Sequence, residues 1–87
     1  MSSGELLLQA HELINGARQG DYGSPEPFFT RTATLWSAYL GHAVTEKDVA
    51  MCMVLFKLAR EANHHKRDNL LDACGYLALA ADLEGGQ

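Results

Sequence analysis

Residues 64–83 read HHKRDNLLDACGYLALAADL, with Asp68 and Asp72 set four apart in an otherwise apolar run. Leu70, Cys74, Leu77 and Ala81 form one stripe at helical spacing, and Leu71, Gly75 and Ala78 form a second, which predicts a helix over about 66–83. Gly75 and the many alanines would let a neighbouring helix come close. Upstream, Thr45 with Asp48 three residues on is a slightly weakened capping box opening a helix over about 46–63. Val49, Met51, Cys52, Met53, Val54, Leu55, Phe56 and Leu58 cover nearly the whole circumference of that segment. A helix apolar all round is expected to be buried on several sides. The short connection after Asn63 makes the two segments antiparallel neighbours, so the fold is built on a helical hairpin.

The rest of the chain follows from that hairpin. Residues 5 to about 17 carry Leu6, Ala10, Leu13 and Ala17 along one stripe, flanked by Leu7 and Ile14, with Glu5, Gln9 and Glu12 mostly opposite. The loop RQGDYGSP follows, rich in turn formers. Ser24 then Pro25 is a helix start signal, and Pro27 still lies in the first turn, where its missing N–H costs nothing. Phe28, Leu35, Trp36, Tyr39 and Leu40 give this helix a wide aromatic face, and Gly41 closes it; Trp36, Tyr39, Phe28 and Phe29 follow helical spacing and are expected in the core rather than as a base-stacking platform. No strand-like alternation, repeat or low-complexity linker is present. The expected fold is all-α: a compact four-helix domain over residues 1–87, frayed at 1–4 and 84–87, with an antiparallel hairpin of its third and fourth helices.

Bulk properties narrow the function classes. A chain of 87 residues makes one small domain. Such a chain buries only roughly 60% of its unfolded surface, so a homo-oligomer is expected. Seven Lys and Arg against eleven Asp and Glu, with no long basic run, argue against a nucleic acid partner. The N-terminal segment has no cationic n-region and Glu12 interrupts its apolar stretch, so it does not read as a signal peptide. No run approaches the roughly 18 apolar residues of a membrane span. Cys52 and Cys74, without CxxC spacing, read as buried free thiols in a reducing cytoplasm.

Chemistry-bearing residues gather at one end of the hairpin. Lys57 and Arg60 belong to the last turns of the third helix, and Asp68 and Asp72 to the first turns of the fourth. One reading is structural: Asp68 caps the fourth helix, Asp72 pairs with Lys57 or Arg60, and the cations suit the negative helix end. The other is functional: Asp68 and Asp72, with Tyr76 one turn on, offer hard oxygen ligands for Mg²⁺ or acceptors for a ligand, while Lys57 and Arg60 face phosphate oxygens. The loop residues Arg18, Asp21 and Tyr22 are a second candidate ligand site, with core packing of Tyr22 and an ion pair of Arg18 as the alternative. His64 and His65 diverge on a helix and cannot chelate one metal together.

The segments RQGDYG (18–23), FTRTATLWSAYL (29–40), DVAMCM (48–53), KLAR (57–60) and RDNLLDACGY (67–76) together resemble a family of small tailed-bacteriophage proteins classed as a domain of unknown function. The resemblance covers residues 5 to about 83 and implies a phage protein working in the host bacterial cytoplasm, with no established activity. More loosely, NLLDACGYLALAADL is similar to a metal-binding helix of the all-α MazG-like nucleoside triphosphate pyrophosphohydrolases, with Asp72 at their aspartate position. That resemblance implies Mg²⁺ as cofactor. Here Asn69 stands where those enzymes have a glutamate, and the preceding helix offers Lys57, Arg60 and Glu61 instead of a carboxylate cluster. Metal-assisted attack on a triphosphate needs several anionic ligands. The expectation is therefore a phage accessory protein that binds a host or phage protein, or a nucleotide or phosphate ligand, with no firm cofactor; a divergent MazG-like hydrolase is the alternative.

Overall fold

In the computed structural model, residues 2–15 and 25–84 are described, and four α-helices account for nearly all of them: α1 (Ser3–Asn15), α2 (Pro25–Leu40), α3 (Glu46–Asn63) and α4 (Arg67–Glu84). Local signals set most of their ends. Ser2 Oγ accepts the Glu5 N–H at 3.1 Å, so α1 starts two residues ahead of the predicted position. Gly41 closes α2 with a φ of 77° and donates its N–H to Ser37 O at 2.9 Å, a left-handed exit that glycine adopts without a Cβ penalty. Ser37 then fastens the turn, its hydroxyl accepting the Val44 N–H at 2.8 Å.

The Thr45 capping box forms in full. Asp48 N donates to Thr45 Oγ1 at 3.1 Å and Thr45 N donates to Asp48 Oδ2 at 2.9 Å. Those bonds, the Thr45 backbone N–H first, hold the Asp48 carboxyl below its ordinary pKa.

The broadest helix contact is the α3/α4 hairpin; α1 lies mainly on α4, and α2 mainly on α3. Phe29, Ala33, Val49, Ala50 and Ala80 form the buried core, with Trp36, Val44, Tyr76, Leu79 and Leu83 packed around it. Phe29 meets the Tyr76 ring edge to face at 6.4 Å, tying α2 to α4. Gly75 does permit a close approach, and the helix it admits is α1: a Cβ there would stand 3.4 Å from Ile14 Cγ2.

Burial departs from expectation in three places. On α3 only Val49, Ala50 and Val54 are buried, while Met51, Cys52, Leu55, Phe56 and Leu58 are exposed, because its neighbours cover one side only. On α2, Phe29 and Trp36 pack inward, but Phe28, Leu35, Tyr39 and Leu40 are exposed, Tyr39 at 90%, since the helix has one main neighbour. On α4 the buried positions are Asn69, Ala73, Gly75 and Ala80, whereas Leu70, Leu77 and Ala81 of the first predicted stripe face outward. Cys52 is accordingly an exposed free thiol and Cys74 a half-buried one. Among the described residues no helix is long and apolar enough to cross a membrane.

Candidate functional site

The hairpin brings Lys57 to Asp72, Nζ to Oδ2 at 3.0 Å, with side chains 20% and 15% exposed. The Phe56 ring lies beside this pair. Lys57 Nζ is 5.9 Å and the Arg60 guanidinium carbon 5.8 Å from its centroid, within reach of cation–π attraction. Of the two cations at this end, Lys57 answers the aspartate of α4 and Arg60 covers an exposed aromatic face.

One turn further along α3, Glu61 organises the connection to α4. Its Oε1 accepts the Lys66 backbone N–H at 3.0 Å and Asn69 Nδ2 at 3.3 Å, and its Oε2 pairs with His65 Nδ1. The His65 contact foremost, then the Lys66 N–H, holds the Glu61 carboxyl below its ordinary pKa. Asn69, 5% exposed, also reaches His64 O at 3.5 Å. A neutral amide suits this position because it donates to Glu61; a glutamate would oppose a second carboxylate to it.

Sequence reasoning therefore named Lys57 and Asp72 as possible partners but missed Glu61 and Asn69 as a bonded pair. A signal was present: Glu61 lies on the same side of α3 as Lys57, one turn on, where a solvent-facing acid would not be placed. Asp68 is exposed in the first turn of α4 and is not its N-cap, because the helix starts at Arg67. In that turn its charge suits the positive helix end. Tyr76 packs against the core. Arg18, Asp21 and Tyr22 lie outside the described residues, as do the predicted Ser24 cap and residues 85–87.

The family model for a domain of unknown function, DUF6378, matches residues 5–84. The chain belongs to that family. Its curated relatives include "Gene 55 protein" of Mycobacterium phage L5, 40% identical over 81 residues, covering 91% of this chain and 52% of the relative. "Gene 55 protein" of Mycobacterium phage D29 is 39% identical over 75 residues, 85% of this chain and 50% of the relative. The chain thus spans about half the length of these relatives. No solved structure matches it.

A hard divalent cation, as the MazG-like resemblance implies, fits this DUF6378 end of the hairpin poorly. Mg²⁺ takes carboxylate oxygens in a strict octahedral shell. Asp72 is held by an ammonium group at 3.0 Å, Glu61 by two N–H donors and an imidazole, and Asn69 brings no charge. Among the described residues no three His, Cys, Asp or Glu side chains converge on a common point.

Proposed function

We propose that this DUF6378 chain is a phage accessory protein that acts by binding, in a self-associated form, rather than by catalysis. Its target is a host or phage protein, or a nucleotide or phosphate group at the Lys57 and Arg60 end of the hairpin. The observation that carries the reading is the Lys57–Asp72 ion pair at 3.0 Å. It commits to a structural contact the aspartate that a metal-dependent pyrophosphohydrolase would use, and it leaves cationic and aromatic groups, Arg60 over Phe56, at the surface. Family membership supports a phage setting, since both relatives named above come from mycobacteriophages.

Two assays separate the readings. Incubation with each nucleoside triphosphate and Mg²⁺ is expected to release no phosphate or pyrophosphate above an Asp72→Asn control. Metal-dependent turnover that this substitution abolishes would replace the binding reading with the hydrolase. A thermal-shift screen against nucleotides and inorganic phosphate then distinguishes the two kinds of target, because any ligand selective for the folded state raises its stability.

A further inference from the structure

From Met51 to Ala59, every exposed residue of α3 is apolar: Met51, Cys52, Leu55, Phe56, Leu58 and Ala59. Of the charged side chains of the same helix half, Lys57 and Glu61 are half-buried and bonded within the hairpin, while Arg60 is exposed over the Phe56 ring. A surface helix of a monomer carries its charges outward and its apolar stripe inward. This one buries Val49, Ala50 and Val54 inward and leaves a second apolar stripe outward. The exposed faces of α1 and α2 differ, since Gln9 and Glu12 on one, and Arg31 and Thr34 on the other, interrupt them.

We infer that the α3 face is the contact between two copies of this chain, paired antiparallel about a twofold axis. Met51, Leu55, Leu58 and Ala62 are spaced four, three and four apart, the seam repeat of a helix that packs on another helix. Leu55 is 62% exposed, Leu58 46% and Met51 37%. Antiparallel pairing makes the stripe self-complementary, Leu55 of one copy meeting Leu58 of the other and Met51 meeting the small Ala62.

The exposed area is large for a chain of this mass. The chain exposes 6016 Å², whereas a monomer of 9.5 kDa exposes about 5,000 Å² by the size scaling of folded proteins. The excess of about 1,000 Å² is close to the roughly 800 Å² that each partner removes from water in a standard specific interface. The radius of gyration, 13.6 Å, likewise exceeds the roughly 12 Å of a single domain of this length.

The inference deepens the self-associated form proposed above and is tested apart from the question of catalysis. Light scattering at micromolar concentration should give twice the chain mass, and Leu55→Glu should halve it with the helical circular dichroism retained. In a Cys52→Ser, Cys74→Ser background, mixing chains carrying Leu55→Cys and Leu58→Cys should yield a disulfide-linked pair under mild oxidation. A matched mixture of Leu70→Cys and Leu77→Cys on α4 should yield none. A monomeric parent chain, an oligomer that survives Leu55→Glu, or cross-linking confined to α4 would each overturn the assignment, the first by leaving the stripe to a different protein partner. None of these results bears on nucleotide turnover, so the binding reading stands or falls separately.

Discussion

Lys57 and Asp72 show how one contact changes the meaning of a residue. An aspartate on an apolar helix is a candidate metal ligand; the same aspartate 3.0 Å from an ammonium group is half of a lock between α3 and α4. Removing Lys57 takes the nearby ammonium from a half-buried carboxylate, while removing both partners leaves neither charge to desolvate. Lys57→Met is expected to destabilise the fold by about 1–3 kcal/mol, and Lys57→Met with Asp72→Leu to recover much of that loss. Urea titrations of the wild type, both single variants and the double variant measure the coupling directly. A coupling of zero would return Asp72 to the pool of candidate ligands. Glu61 gives a pH signature. Its carboxyl is depressed in the folded state, so its contribution is fully present above the ordinary glutamate range and fades as pH falls through the lowered folded value. The difference in melting temperature between wild type and Glu61→Gln should accordingly be largest near neutrality and shrink in acid.

Among the elements, α4 carries the most constraint because it touches α3 on one side and α1 on another. Asn69, Ala73 and Ala80 sit in its buried surface, and Gly75 receives α1. At Gly75 two effects compete. A helical glycine costs up to about 1 kcal/mol relative to alanine, and an added Cβ would meet Ile14 Cγ2 at 3.4 Å, an ordinary contact distance. Gly75→Ala is therefore expected to raise stability by about 0.5 kcal/mol, whereas Gly75→Leu should push α1 away and lower it. Thermal melts of the two variants should move in opposite directions. The ends of α2 and α3 were legible in the sequence because their signals are local. Gly41 needs only its own φ, and Thr45 with Asp48 needs only each other.

For the whole molecule, the decisive quantity is the apolar surface left outside. Among the described residues, twelve large hydrophobic side chains, on all four helices, are exposed. The four on α3, Met51, Leu55, Phe56 and Leu58, lie in a segment with no exposed polar residue between them, and an uninterrupted apolar face of that kind marks an interface. The melting temperature of a chain that buries such area by self-association must rise with its concentration. A hundredfold dilution should lower it by several degrees for the wild type and leave Leu55→Glu unmoved. The sequence by itself determined the four helices of the described residues, their hairpin order and the charged cluster at one hairpin end, since periodicity and capping act over a few residues. It could not say which apolar residues are inside. An all-round apolar helix such as α3 fits a buried core helix and a helix with one covered side equally well, and only the neighbours decide between them. The tertiary structure put Lys57 and Glu61 in and Leu55 and Leu58 out. Pairing inward charges satisfies them without water, whereas the outward leucines gain only when another surface covers them.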